Sequence, residues 1–149
     1  MTMQADKCYS LLKEMLKLDL RPNVATFNTV IRALTNSNDL TKALRILKYM
    51  ESRDETVSPN QRTYSMIISA FALNNMPDEA ETLISVMSSK GMNVEVELYT
   101  ATVRAFETTH RPRLALNLME KMRRKGYNFY DNPVLDRIFK ALVNTLSSP

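Results

Sequence analysis

Three polar residues each follow an aromatic one at a nearly constant interval: Asn28 after Phe27, Ser65 after Tyr64 and Thr100 after Tyr99. An amide or hydroxyl at these places can both donate and accept hydrogen bonds. Arg32 and Arg104 come four residues after Asn28 and Thr100, with Ser69 in the middle place. Residues four apart share one face of a helix. Such a set can form hydrogen bonds and ion pairs, and bond-breaking chemistry has little to work with beside it. His110 is the only histidine, which removes a histidine-pair metal site. Cys8 is the only cysteine, which removes an internal disulfide and a cysteine-rich zinc site. Zinc deaminase chemistry needs a His-x-Glu and a Cys-x-x-Cys, and the chain has neither. No acidic residue falls into a pattern with a nucleophile or a base. The expectation is a chain without catalytic residues, metal or cofactor, and therefore not an enzyme.

The elements that position these residues follow from composition. A chain of 149 residues with 44% hydrophobic and 24% charged side chains can bury a real core. It has only two glycines, too few for many tight hairpin turns or a glycine-rich phosphate loop, so the prior moves to all-α. No apolar run approaches the roughly 18 residues needed to span a bilayer. The opening carries Asp6 and Glu14, unlike the acid-poor start of an import sequence. The net charge of +4 is mild and unevenly spread. Residues 1–60 hold nine basic and seven acidic side chains, residues 61–100 two and five, and residues 101–149 nine and four. The acidic middle is a poor track for phosphates.

An internal repeat organises the chain. Met15, Met50, Met87 and Met122 are spaced by 35, 37 and 35 residues. Seven positions before each stands a small residue: Cys8, Ala43, Ala80 and Ala115. Gly91 and Gly126 keep the same interval, with Asp19 and Asp54 in the equivalent earlier places, and so do Pro77 and Pro112. Each unit reads as two helices. The first carries apolar residues at helical spacing, such as Phe27, Val30, Ile31 and Leu34, or Tyr64, Ile67, Ile68 and Phe71. The second starts near proline, tolerated in a first helical turn, and ends at a glycine suited to a left-handed cap. Residues 1–23 read as the second helix of a partial unit. Residues 24–60, 61–95 and 96–131 read as whole units, the third degenerate at its end, and 132–149 as a lone capping helix. Leu135–Leu142 overlays Phe27–Leu34. A helix pair cannot bury its apolar face alone, so such units stack.

The phrases L-R-P-N-V-A-T-F-N-T-V-I at 20–31 and S-P-N-Q-R-T-Y-S-M-I-I at 58–68 resemble the junctions of pentatricopeptide repeats (PPR), of the P type. There Pro-Asn or Pro-Asp closes a unit, Thr-Tyr-Asn opens the next, and A-L-x-L-x-x-x-M followed by glycine marks the second helix. The likeness covers nearly the whole chain and is looser where Val94-Glu95 and Phe129-Tyr130 replace Pro-Asn. It implies a right-handed α-solenoid of helix-turn-helix repeats of about 35 residues, located in a mitochondrion or chloroplast. It implies binding of single-stranded RNA at about one base per repeat, in RNA processing, stability or translation. The alternative is a scaffold subunit that meets protein subunits of a larger organellar assembly.

By the same resemblance the base-reading residues are Asn28 with Asn60, Ser65 with Glu95, and Thr100 with Asp131 or Tyr130. Asp136 holds the reading place in the last half unit. Asn28 with Asn60 resembles a pyrimidine-reading pair and Thr100 with Asp131 a guanine-reading one. Arg32 and Arg104 become candidates for RNA phosphate. At the place where the family has an aliphatic wedge between bases, this chain has Ala25, Arg62 and Glu97. The run Arg123-Arg124-Lys125 falls at a helix C-terminus, where cations suit the helix dipole.

Overall fold

The computed structural model describes residues 2–53, 55–129 and 131–147. Among them are eight α-helices and no strand: α1 (Thr2–Lys17), α2 (Val24–Asn36), α3 (Leu40–Glu51), α4 (Gln61–Leu73), α5 (Pro77–Ser89), α6 (Val96–Thr108), α7 (Pro112–Arg124) and α8 (Pro133–Ser147). A 3-10 turn, Glu55–Val57, lies between α3 and α4. It falls in the stretch where the interval from Met50 to Met87 is two residues longer than the others.

Local chemistry explains where the helices begin. Asn23 caps α2, its side-chain oxygen accepting from the Thr26 amide at 2.9 Å. Asp39 caps α3 through the Lys42 amide at 3.3 Å. Such caps satisfy N–H groups that have no partner inside the helix. Helices α5, α7 and α8 start on Pro77, Pro112 and Pro133, where proline gives up only a free N–H.

The helix ends share one device. Gly91 and Gly126 adopt φ of 76° and 95°, and Asp19 a φ of 58°, as their spacing predicts. Asp54 lies outside the described residues. The first helices of the units end the same way, on Asn38, Asn75 and His110, with φ near 60°. The bonds Asp39 N to Leu34 O, Met76 N to Phe71 O and Arg111 N to Phe106 O close these ends, tying up carbonyls the helix leaves unpaired. His110 is thus an exposed turn residue in the left-handed region, a place that its short polar link suits but its sequence neighbours do not reveal.

The helices pack as two compact units, residues 1–70 and 71–149, with α4 running from one into the other. In the first, α2 lies between α1 and α3. Phe27, Ile31 and Leu34 of α2 meet Leu47 and Met50 of α3 in a core where each is at most 1% exposed. The Phe27 and Tyr49 rings sit 5.8 Å apart. In the second, α5, α6, α7 and α8 pack in sequence around Tyr99, Val103, Phe106, Ala115 and Met122. The Tyr99 and Tyr127 rings meet edge to face at 5.1 Å. The repeat methionines Met50, Met87 and Met122 are fully buried; they fill the core and offer no docking surface.

Tyr64 is fully buried and its hydroxyl donates to Glu51 Oε2 at 3.2 Å. Burial, with the nearby carboxylate, pushes this phenol up to about 12. The folded state therefore holds the Tyr64 proton more tightly than the unfolded chain does, so stability drops as pH rises from about 10 to about 12. Absorbance titration of the six tyrosines should show a last phenol ionising near pH 12, absent in Tyr64→Phe. If all six ionise together near pH 10 while helicity is intact, Tyr64 is not buried as described.

Candidate functional site

The first unit brings Asn28 and Asn60 together. Asn28 sits on α2, one residue past Phe27, and is 8% exposed. Asn60 immediately precedes α4 and caps it, its Oδ1 accepting from the Thr63 amide at 3.0 Å. Asn28 Nδ2 donates to the same oxygen at 3.2 Å. The Thr63 hydroxyl, fully buried, lies 2.6 Å from Asn28 Oδ1 and 2.9 Å from Asn60 Oδ1, and donates to the nearer oxygen. It accepts in turn from the Asn60 amide at 3.1 Å. The result is a closed ring of hydrogen bonds joining two helices. Every polar atom that it buries is satisfied, as a buried network must be.

Thr63 is a member of this ring that the repeat spacing alone does not single out. Its signal is the phrase N-x-x-T, present at Asn23–Thr26 and again at Asn60–Thr63, which places a hydroxyl on the first helical turn. Thr63→Val keeps shape but strands Asn28 Oδ1 and the Asn60 amide. Urea unfolding of this variant should show a loss of about 1–3 kcal/mol; an unchanged midpoint would mean that water replaces the hydroxyl at no cost.

Beside the ring opens a cleft of about 350 Å³ lined by Val24, Ala25, Asn28, Thr29, Arg32, Asn60 and Arg62. The amide Nδ2 of Asn60 takes no part in the ring, so it supplies a spare donor at the cleft. Arg32 and Arg62 are exposed and neither side chain has a partner among the described residues. The cleft thus brings the amides of Asn28 and Asn60 together with two exposed arginines that have no partner among the described residues.

The other candidate residues are differently placed. Ser65 lies on α4 with its hydroxyl buried and without a hydrogen-bond partner among the described residues. Glu95 precedes α6 but makes no side-chain cap to it. Leu98 stands where the first unit has Thr63, and leucine has no hydroxyl with which to form the ring. Thr100 returns its hydroxyl to the Val96 carbonyl at 2.9 Å, one turn back on its own helix. Asp131 is exposed and accepts from Asn128 Nδ2 at 3.0 Å. The residue that caps α8 is Asn132, whose Oδ1 accepts from the amides of Val134 and Leu135, each at 3.2 Å. Asn132, and not Asp131, therefore has the capping role that Asn60 has in the first unit. Tyr130 lies outside the described residues. Asp136 holds Lys140 at 2.7 Å. Arg104 is exposed and without a partner among the described residues.

The basic run at the end of α7 is engaged within the fold. Arg123 and Arg124 both reach Glu120, at 2.6 and 3.6 Å, and Lys125 donates to the Ser88 hydroxyl. The Arg123 guanidinium holds the Glu120 carboxyl below the usual carboxylate range. Among the described residues no group of three His, Cys, Asp or Glu side chains could hold a metal. No described helix is long and apolar enough to cross a membrane.

The family profile described as "Pentatricopeptide repeat domain" matches residues 10–74, and that described as "PPR repeat" matches residues 62–92. The chain belongs to the pentatricopeptide repeat family. It is 31% identical over 90 residues to the mitochondrial 15S rRNA processing factor ppr3 of Schizosaccharomyces japonicus, covering 60% of this chain and 13% of that protein. It is 22% identical over 104 residues to the small ribosomal subunit protein mL103 (rPPR7) of Arabidopsis thaliana, covering 70% of this chain and 25% of that one. The PPR domain of Arabidopsis thaliana protein-only RNase P 1, solved in complex with tRNA, aligns with a TM-score of 0.75 at 16% identity, covering 94% of this chain and 70% of that domain. The PPR chain thus has the α-solenoid fold of its family, and spans a quarter or less of the length of these two relatives.

Proposed function

We propose that this PPR chain binds single-stranded RNA and serves RNA metabolism in a mitochondrion or chloroplast as a recognition module, not a catalyst. The observation that carries the reading is the first-unit cleft. It sets the Asn60 donor and the Asn28 amide beside two uncommitted arginines, Arg32 and Arg62. A single-stranded base exposes its pairing edge, and an amide matches its donors and acceptors. The likeness to an rRNA processing factor and to a domain solved with tRNA supports the same reading.

Three whole units would read about three bases, which distinguish only about 64 sequences. Specificity for one transcript therefore needs further repeats or a partner. Reading is concentrated in the first unit, since Ser65 has a buried hydroxyl and Leu98 cannot complete a second ring. Thr100 with Asp131 remains a guanine-reading pair only by analogy, and Arg104 a phosphate contact on the same basis.

The test is a salt titration. Wild-type protein should bind a single-stranded oligonucleotide with affinity that falls as salt rises. Arg32→Ala should flatten that slope by about 0.7 for one lost phosphate contact, equally for every base composition, and Arg104→Glu should do the same. An unchanged slope would assign both arginines to plain surface. The second reading, a scaffold within a ribosome-like assembly, is favoured by the likeness to mL103 and by the missing ring in the second unit. It predicts no RNA binding beyond that of any mildly basic protein.

A further inference from the structure

The third unit closes its lower end with an aromatic side chain of its own. Tyr127 lays its ring edge to face on Tyr99 at 5.1 Å, and its hydroxyl donates to the Val94 carbonyl. The first unit has the same frame 72 residues earlier: Phe27 stands for Tyr99, Pro22 for Val94 and Arg53 for Lys125. The place of Tyr127 falls to Glu55, an exposed residue of the 3-10 turn, which has no ring to lay on Phe27. A cavity of about 560 Å³ opens there, bounded by the end of α1, the start of α2, the end of α3 and the 3-10 turn. Ligand pockets are of this size, about 300–1,000 Å³.

Leu16, Leu20, Phe27 and Val57 give the cavity apolar walls. The carbonyl of the buried Pro22, counterpart of the one that Tyr127 engages, accepts no hydrogen bond among the described residues. Tyr49 stands between Phe27 and Arg53, its ring 5.8 Å from that of Phe27 and 4.7 Å from the Arg53 guanidinium. The stacking holds that guanidinium by its face and leaves its N–H edge for an acceptor. Lys125, its counterpart, is engaged by Ser88. The side chains of Arg53 and Arg21 have no hydrogen-bond or ion-pair partner among the described residues. Both line the cavity, against the single carboxylate of Asp19.

We propose that this cavity is a docking site for a segment of a partner protein that inserts a tyrosine flanked by carboxylates. The ring takes the place on Phe27 that Tyr127 takes on Tyr99, its hydroxyl donates to the Pro22 carbonyl, and Arg21 and Arg53 meet the flanking acids. The site does not depend on RNA binding at the Asn28–Asn60 cleft. RNA is the competing occupant, because Asn23 also lines the cavity and caps α2 as Asn60 caps α4.

The experiment follows backbone amide shifts by NMR while capped pentapeptides are added to the whole chain. One has a central tyrosine between aspartates, the second alanine in place of tyrosine, and the third lysines in place of the aspartates. The tyrosine–aspartate peptide should shift amides within residues 16–27 and 49–57. It should bind about tenfold or more tighter than the alanine peptide, as burial of an aromatic side chain requires. The double variant Arg21→Gln, Arg53→Gln should weaken it by about fivefold or more and bring it level with the lysine peptide. Both arginines are exposed, so circular dichroism should show the variant folded. If the alanine peptide binds as tightly, or the shifts fall elsewhere, the cavity seats no aromatic side chain and the proposal fails. If twelve-nucleotide oligo(U) displaces the peptide and shifts the same amides, the cavity belongs to an RNA path and the peptide assignment is wrong.

Discussion

Phe27→Ala should be the most destabilising single substitution in the first unit, at about 3–5 kcal/mol. The ring is 1% exposed, it lies against Tyr49 at 5.8 Å, and it shares its core with Ile31, Leu34, Leu47 and Met50. Removing it leaves a cavity between α2 and α3 that neither helix can fill without breaking its own caps. The matched control is Phe139→Ala on α8. That ring is 37% exposed and touches Phe129 at 5.9 Å, so its loss should cost no more than about 1 kcal/mol. Chemical denaturation followed by circular dichroism distinguishes the two. Comparable losses would mean that the terminal helix is covered by something that the described residues do not contain. In a repeat protein stability is close to a sum of local terms, so Phe27→Ala should also shift the first unit's transition ahead of the second's.

The reason Phe27 could be chosen from the sequence at all is periodicity. Phe27, Tyr64 and Tyr99 recur with the repeat, each followed by buried residues at positions three, four and seven that are apolar except for Thr102, and all three aromatics are at most 1% exposed. A buried face is a property of spacing, so it is legible in one dimension. The helix starts at Pro77 and Pro112 and the left-handed ends at Gly91 and Gly126 are legible for the same kind of reason, since each residue type has one strong backbone preference. The left-handed turns at Asn38, Asn75 and His110 were not, because those residues also sit comfortably in ordinary links.

The site was legible as a pair and illegible as a ring. Asn28 and Asn60 are 32 residues apart and share a hydrogen bond, but the buried hydroxyl that holds both is Thr63, a residue whose role depends on three-dimensional closure. The same limit hides the cap at α8. One residue inserted before Pro133 moves the carboxamide to Asn132 while Leu135, Ile138 and Leu142 keep the apolar register. A repeat can thus preserve its core face and displace its polar one, because packing fixes the helix and the loop absorbs the extra residue. For Ser65 the hydroxyl is present and the ring is not: its unit closes on Glu95 and continues through Leu98, which has neither donor nor acceptor to offer. The two junctions therefore differ in chemistry while sharing a fold.

Asn60→Asp should redirect base preference at a single position and leave the fold intact. The fold should survive because Asn60 uses Oδ1 for three tasks: it caps the Thr63 amide, it accepts from Asn28, and it lies beside the Thr63 hydroxyl. A carboxylate oxygen performs all three, and a negative charge at the start of α4 suits the helix dipole. What changes is the other atom of the side chain. The spare Nδ2 donor becomes an acceptor, so a base edge that presented a carbonyl to Asn60 now faces like against like. One hydrogen bond lost and one acceptor left unpaired amounts to about 1–3 kcal/mol, or about five- to a hundredfold in affinity. A base that presents a donor gains by the same exchange. The added charge also repels phosphate, but it does so for every RNA equally, so the decisive quantity is the ratio between bases and not the affinity itself. The measurement varies one nucleotide through all four bases within a fixed short RNA and compares wild type with the variant. A ratio that inverts between carbonyl-bearing and amino-bearing bases assigns the edge to Asn60. Four equal affinities in both proteins, with helicity unchanged, would show that the cleft beside the Asn28–Asn60 ring reads no base, and the scaffold reading would then take its place.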